Sequence, residues 1–259
     1  MTAVLSAPAT VGSAFNPVAK LITALVIAVG LVASVDWVTA VTALALEVLL
    51  AVALRIPLSV LVARGAIVIL TASLTAFALL LYGQPSGAVH WHFLLITVSD
   101  GSIALALANF LRVLAIALPA VILFVGTGPT ELADGLGQVL RLPARFVLGA
   151  LAGLRMVSLL SEDWRQLGYA RRARGVADHA RIRRYAGQAF ALLVFAIRRG
   201  SVLATTMEAR GLGAHPTRTW ARPSVLAGRD FALIAAGFVI PAVAIAVSVA
   251  TGHWALLAG

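Results

Sequence analysis

Long apolar stretches alternate with short polar segments along most of this chain of 259 residues. A transmembrane helix needs roughly 20 consecutive, mostly apolar residues, and exposed irregular backbone is excluded from lipid. The pattern therefore predicts an all-α, polytopic membrane protein with about five transmembrane helices, of which the second and third are short. The five candidate spans are residues 18–35, 38–54, 66–81, 103–126 and 231–250.

The segment between the fourth and fifth candidate spans has a different pattern. Thr130 can cap a helix over residues 131–140, whose leucines and valine share one face, as in a helix that lies along a membrane surface. Two similar halves follow. Each half is an apolar run that is short for an independent crossing, followed by a short helix: residues 146–160 then 162–174, and residues 185–197 then 201–210.

These patterns divide the chain into three parts. Residues 1–126 are predicted to form an N-terminal membrane domain with four spans, and residues 127–229 an interfacial region of amphipathic and short helices. Residues 230–259 are predicted to form a C-terminal transmembrane helix. The first 16 residues contain no Lys or Arg, unlike the start of a cleaved signal, and are expected to be a tail.

Each of the two halves ends with the same three residues, Ala-Arg-Gly. The copies occupy residues 173–175 and 209–211, which lie 36 residues apart. Glycine is favoured just past a helix end, and the arginine before it would project from a helix tip with little bulk around it. Its planar guanidinium can bind carboxylates or carbonyls. One copy would indicate a glycine cap and no more, but two copies in equivalent settings indicate a pair of contact points.

The basic residues are concentrated in this same segment. Residues 141–229 hold 16 of the 20 lysines and arginines, against four acidic residues. Because short, positively charged segments stay cytoplasmic, this region and the N-terminus are predicted to lie inside the cell. The same rule accounts for the net charge of +10, so we expect no nucleic-acid partner.

The composition agrees with a membrane protein and removes several kinds of chemistry. Hydrophobic residues make up 61% of the chain and charged residues 12%. The absence of cysteine excludes disulfides, thiolate metal sites and iron–sulfur clusters. No Gly-x-x-x-x-Gly-Lys-Ser/Thr loop is present, so the chain is not itself a nucleotide hydrolase. Lys20, the single lysine, is expected to be an anchor at the inner interface.

The remaining polar candidates are isolated. His90 and His92 lie on the predicted outer side but lack a third ligand, so no metal site is predicted. Arg112 falls inside the fourth candidate span, where an arginine is costly unless it faces protein or water. Glu47 is its natural partner, in a structural polar contact or, less favourably, in a substrate or proton path.

The acidic pair Glu162 and Asp163 is expected to form intrahelical ion pairs. The available partners are Arg165, Arg155 and Arg171. No catalytic residues are predicted. Two alternatives remain open at this point, namely a membrane-embedded enzyme that acts on lipid phosphates, which would need clustered acids, and a self-sufficient secondary transporter, which would need intramembrane polar residues in matching halves.

Several segments together resemble a known family. They are Asn16-Pro17-Val18-Ala19-Lys20, Arg112, Gly128-Pro129-Thr130-Glu131-Leu132-Ala133, Arg155, Glu162, Ala170-Arg171-Arg172-Ala173-Arg174-Gly175 and Met207-Glu208-Ala209-Arg210-Gly211. In these segments the chain resembles the transmembrane T component of energy-coupling factor transporters, the cobalt and vitamin uptake type. The two tripeptides and their spacing are the most specific part of this resemblance.

The resemblance implies a non-catalytic scaffold with two cytoplasmic ABC ATPase subunits and a substrate-binding integral membrane S component as partners. Each coupling helix would dock its arginine into one ATPase subunit, and ATP would be bound only by those subunits, leaving this chain without a cofactor. The implied contacts are Ala173, Arg174, Gly175, Ala209, Arg210 and Gly211, with support from Arg171, Glu162, Met207 and Glu208. The cargo would be a metal ion or a vitamin, chosen by the S component.

Overall fold

The computed structural model describes residues 14–32, 34, 36–83, 86–93, 96–175, 181–212 and 219–252. In these ranges eight helices predominate and the two strands form one small hairpin, which confirms the predicted all-α class. The helices are α1 (Pro17–Val32), α2 (Trp37–Ala53), α3 (Leu58–Tyr82), α4 (Asp100–Leu123), α5 (Pro129–Gln138), α6 (Ala144–Ala173), α7 (Arg181–Ala209) and α8 (Gly228–Ala250). The predicted tail falls mostly outside the described residues.

The hairpin lies between α3 and α4, where the sequence indicated only a loop. Strands β1 (Val89–Phe93) and β2 (Ile96–Ser99) pair antiparallel, with an irregularity in register near the start of β1. Ser99 then caps α4, because its hydroxyl accepts a hydrogen bond from the backbone N–H of Ser102. The hairpin therefore leads directly into the fourth candidate span.

Five helices are long and apolar enough to cross a membrane, but they are not the five that the sequence predicted. They are α3, α4, α6, α7 and α8, whereas α1 and α2 are shorter apolar helices of 16 and 17 residues. The predicted division of each half into an apolar run and a separate short helix is wrong. Neither α6 nor α7 contains a proline, and their glycines cost only about 1 kcal/mol each relative to alanine, so each helix continues through its polar residues.

The described residues form two compact units. The first contains α1 to α4, the hairpin and α8, and the second contains the residues from Pro129 to Ser224. In the first unit, α1 packs against α4 and α8, α2 against α4 and α8, and α3 against α4. Alanines and other small residues are prominent in its core, which allows close approach of the helices.

Two buried aspartates fix the ends of helices in the first unit. Asp36 caps α2 and accepts hydrogen bonds from the N–H of Thr39 at 2.8 Å, from its hydroxyl at 2.6 Å and from the hydroxyl of Ser248 on α8. Asp230, near the start of α8, accepts from the backbone N–H groups of Asn16 and Ala227 at 2.8 and 2.7 Å. These carboxylates therefore tie α8 to the starts of α1 and α2.

Gly30 on α1 and Gly237 on α8 lie at the contact between these two helices. A Cβ atom at Gly30 would lie 2.6 Å from Cβ of Pro241, and one at Gly237 would lie 3.1 Å from the Cα atom of Thr23. Real Cβ atoms essentially never approach as closely as 2.6 Å, so glycine is needed at position 30, whereas a Cβ at position 237 would be tightly packed. Pro241 belongs to a rigid ring that has little freedom to move aside.

We expect Gly30→Ala to destabilise the first unit by about 1 to 3 kcal/mol through overpacking. Thermal unfolding of the purified protein in detergent would measure the change. Gly153→Ala, on α6, is the matched control because a Cβ there meets nothing within 4 Å. The control should be neutral or slightly stabilising, and equal losses for the two variants would contradict the close contact.

In the second unit, α5 is fixed to the segment that returns toward α8. The side chain of Gln138 donates to the carbonyl of Arg222 at 2.7 Å and accepts from the N–H of Ser224 at 2.8 Å. Trp220 lies over Gly137, where an added Cβ would be 2.5 Å from the indole ring. The predicted helix over residues 131–140 is confirmed, with slightly earlier bounds.

Candidate functional site

Both Ala-Arg-Gly tripeptides lie at helix C-termini. Helix α6 ends at Ala173 and α7 at Ala209, so that each arginine is the first residue beyond its helix. The glycines that follow have positive φ angles, +69° at Gly175 and +76° at Gly211. A residue with a side chain rarely adopts this left-handed conformation, so glycine is needed at both positions.

Hydrogen bonds show how each helix is closed. After α7, the N–H of Gly211 donates to the carbonyl of Glu208 at 2.9 Å, and the N–H of Leu212 donates to that of Met207 at 3.0 Å. These two bonds define a Schellman motif. After α6, the N–H of Gly175 donates to the carbonyl of Arg172 at 3.0 Å, which is the equivalent bond. The glycine stops predicted from the sequence are therefore present at both ends.

The two arginines at these helix ends are exposed. Arg174 and Arg210 both belong to the exposed class, and within the part of the chain that the structure describes neither guanidinium has a hydrogen-bond or ion-pair partner. Two charged, planar groups are thus displayed at defined helix tips. Since a guanidinium has five N–H donors in a fixed geometry, each tip can receive a carboxylate or a set of carbonyl oxygens.

Helices α6 and α7 cross in an antiparallel sense. The C-terminal half of α6 meets the N-terminal half of α7, because Gln188 donates to the carbonyl of Trp164 and Arg171 donates to that of Arg184. Each arginine therefore extends from an opposite end of the pair. A helix of 29 residues such as α7 is roughly 43 Å long, so the two tips are widely separated.

An ion pair connects the two helices near their crossing. Asp163 on α6 accepts two hydrogen bonds from Arg199 on α7, at 2.7 and 3.4 Å. The predicted intrahelical partners of Asp163 are therefore wrong, because the crossing of α7 brings in a bidentate partner. Glu162 does have a predicted partner, Arg165, at 3.9 Å on the exposed surface.

An apolar groove lies between the N-terminal half of α6 and the C-terminal half of α7. Its volume is about 610 Å³, and eight apolar side chains and three arginines line it. The apolar residues are Leu148, Leu151, Ala152, Met156, Leu159, Leu203, Met207 and Leu212, and the arginines are Arg155, Arg199 and Arg210. This groove could not be predicted from the sequence, since it is formed only when the helices cross.

The polar residues of the first unit do not form the predicted pair. Glu47 is fully buried, and neither of its carboxylate oxygens has a hydrogen-bond partner among the described residues. Arg112 instead donates to the backbone carbonyl of Val32 at 2.6 Å. Lys20 is buried within the protein, and its ammonium group donates to the hydroxyl of Thr127 at 2.7 Å, while its place at the inner interface stays a prediction.

The prediction that the histidines form no metal site stays a prediction, because none of the five side chains lies in the described part of the structure. Among the described residues, no group of three or more His, Cys, Asp or Glu side chains is placed to hold a metal ion. His90 and His92 belong to β1, but their side chains lie outside the described part of the structure, as do His179, His215 and His253.

The fold and the candidate site define a polytopic helical membrane protein with two arginine-tipped, crossed helices, and comparison with known proteins specifies the family. The model of the CbiQ family, described as cobalt transport protein, matches residues 9–219. The chain therefore belongs to the CbiQ family, in agreement with the resemblance seen in its sequence.

Curated relatives are energy-coupling factor transporter transmembrane proteins, EcfT. The chain is 29% identical to that of Limosilactobacillus fermentum over 159 residues, which are 54% of this chain and 60% of the relative. It is 28% identical to that of Bacillus subtilis over 200 residues, which are 73% of this chain and 75% of the relative. The chain thus aligns with less than two thirds of the first relative's length.

Proposed function

We propose that this protein is the transmembrane scaffold of an energy-coupling factor transporter. It would couple ATP hydrolysis by two cytoplasmic ATPase subunits to movement of a substrate-binding membrane subunit that takes up a metal ion or a vitamin. The observation that carries this proposal is the pair of arginines, Arg174 and Arg210, at opposite ends of two crossed helices. The chain would bind no ATP itself and would have no catalytic residues.

Two separated and equivalent tips suit a partner that has two similar subunits. When two ATPase subunits close on ATP, they move relative to each other, and a rigid connector that touches both subunits must tilt or rotate. The crossed helices can act as such a connector because Asp163 and Arg199 join them and Trp164 stacks on Tyr185 at the crossing, with ring centroids 6.3 Å apart. No relay of side chains is required.

The local structure of each tip favours docking into a groove. Ala173 and Ala209 add little volume beside the arginines, and a Cβ at Gly175 would meet nothing within 4 Å. A guanidinium can therefore enter a narrow cleft without interference from its neighbours. There it would bind carboxylates or carbonyl oxygens, with Arg171, Glu162, Met207 and Glu208 as supporting residues.

The apolar groove between α6 and α7 would provide the contact for the substrate-binding subunit. Large apolar side chains from both helices line it, including Leu148 and Leu159 from α6 and Leu203 from α7, and Leu159 is exposed. A membrane partner that packs on this surface would remove them from water and from lipid. The connector would then touch the ATPases at its tips and the substrate-binding subunit between them.

Cysteine cross-linking tests this arrangement directly, because the chain has no cysteine of its own. Ala173→Cys and Ala209→Cys would each carry a single thiol next to a tip arginine. We expect each variant to form a covalent adduct with an ATPase subunit in membranes that contain the whole transporter. Val194→Cys, at an exposed position in the middle of α7, is the control and should form no adduct with an ATPase subunit. Failure of both tip variants to cross-link would refute the proposal.

A further inference from the structure

A second pocket in the crossed pair has a different character from the apolar groove. It lies where the last turns of α6 meet the first turns of α7, and its volume is about 260 Å³. Four arginines contribute to its wall, Arg165, Arg171, Arg172 and Arg184, together with aromatic side chains. Among the residues that the structure describes, neither an acidic side chain nor Arg174 contributes to the lining.

The wall of this pocket is held in place by defined contacts. The Nη1 atom of Arg171 donates to the carbonyl of Arg184 at 2.9 Å, and its guanidinium lies beside Gly187, where a Cβ would be 3.4 Å from Nη2. Gln188 is buried and donates to the carbonyl of Trp164. The ring of Trp164 stacks on that of Tyr185 with an angle of 6° between their planes. Such contacts reduce the entropy lost when a ligand binds.

Aromatic rings also position two further guanidinium groups. The Cζ atom of Arg184 lies 4.6 Å from the centre of the Tyr185 ring, and that of Arg172 lies 6.0 Å from the centre of the Tyr169 ring. Cation–π contacts of this kind restrict the side chains without neutralising their charge. The positive charge of the pocket is therefore concentrated and partly oriented.

The helix ends add to this positive potential. Helix α7 begins here, and its first turn has no acidic residue. The N-terminus of a helix carries a partial positive charge, which favours a bound anion and disfavours nearby arginines. An anion in the pocket would therefore interact favourably with this helix end.

We propose that this pocket binds a phosphate-bearing anion. Guanidinium groups match the geometry and charge of phosphate oxygens, and several of them together favour a phosphate over a single carboxylate. The space exceeds that of a phosphate group alone, so a larger headgroup or ester fits. A lipid headgroup and a soluble phosphate present the same chemistry, and the experiment separates these two sources. The inference does not depend on the proposed docking of ATPase subunits at Arg174.

The test uses the full-length protein in phosphatidylcholine nanodiscs, without ATPase subunits. In one arm, inorganic pyrophosphate is titrated and binding is measured by calorimetry. In the other arm, the nanodiscs contain phosphatidylglycerol, and native mass spectrometry counts the lipids that stay bound. We expect saturable binding in at least one arm, and the arm that binds identifies the source of the phosphate.

The variant is Arg171→Gln with Arg184→Gln, and the control is Arg145→Gln with Arg198→Gln, which removes the same charge from exposed arginines outside the pocket. Binding should weaken about tenfold or more in the variant, since charge-assisted hydrogen bonds are lost, and less than about twofold in the control. Arg171→Lys with Arg184→Lys, which keeps the charge but loses the planar fork, should give an intermediate loss.

Two outcomes would overturn the proposal. They are no saturable binding in either arm, and an equal loss of binding in the variant and the control. Because anion binding is measured on this chain alone, failure of the proposed transporter function would leave the result of the two arms unchanged.

Discussion

Replacement of Arg174 and Arg210 together by glutamate is expected to abolish co-purification of the ATPase subunits. Each substitution places a negative charge where a guanidinium would dock, and it leaves the acceptor groups of the partner buried and unpaired. The loss of one such charged contact costs about 2 to 5 kcal/mol, which corresponds to an affinity about thirtyfold or more weaker at each tip. Two tips that bind the same assembly multiply this loss.

The fold should survive these substitutions, which makes the result interpretable. Both arginines are exposed and lie beyond the last residue of their helices. Arg145→Glu with Arg198→Glu is the matched control, since both residues are exposed, lie on the same two helices and change the net charge equally. Normal co-purification of ATPases with the tip variant, or equal loss with the control, would contradict the proposed function.

The second large effect is expected for Asp36→Ala, on stability rather than on partner binding. The carboxylate of Asp36 accepts three hydrogen bonds and joins the start of α2 to Ser248 near the end of α8. Alanine would leave these three donors without their acceptor in a buried site. Since hydrogen bonds to charged groups contribute about 1.5 to 3 kcal/mol each, we expect a loss of about 3 kcal/mol or more.

Thermal unfolding in detergent would measure the effect of Asp36→Ala. Asp36→Asn should reduce stability less than Asp36→Ala does, because the amide keeps an oxygen that can accept from the same donors. Ser248→Ala should reduce stability by a still smaller amount, because it removes only one of the three hydrogen bonds and no charge. An unfolding temperature of Asp36→Ala equal to that of the unchanged protein would show that this contact does not stabilise the helical bundle.

The class of the protein and the ends of its crossed helices could be predicted from the sequence, because both depend on local signals. Apolar stretches identify membrane helices, and Gly175 and Gly211 mark helix ends through their backbone freedom. The continuity of α6 and α7 was missed for a physical reason. Polar residues such as Glu162 looked like the start of a new helix, although an uninterrupted helix tolerates them on an exposed face.

Contacts that depend on helix packing could not be derived in the same way. Arg112 donates to the backbone carbonyl of Val32, which no side-chain pattern reveals. Glu47 is buried, and its carboxylate does not bond to Arg112. The pairing of Asp163 with Arg199 requires the crossing of α6 and α7. A weak signal was present, since these residues are separated by 36 positions, the same interval as the two tripeptides. The role of the tips in ATPase binding, and the cytoplasmic side of this region, stay predictions.

This shared interval has a mechanical consequence. Asp163 and Arg199 occupy matching places in two repeated arms, and they join at the pivot rather than at the ends. A load on one arm would therefore reach the other through the contacts around this crossing, so that each ATPase subunit proposed to bind at a tip would respond to movement of the other. The repeat would then coordinate the two proposed ATPase subunits as well as bind them.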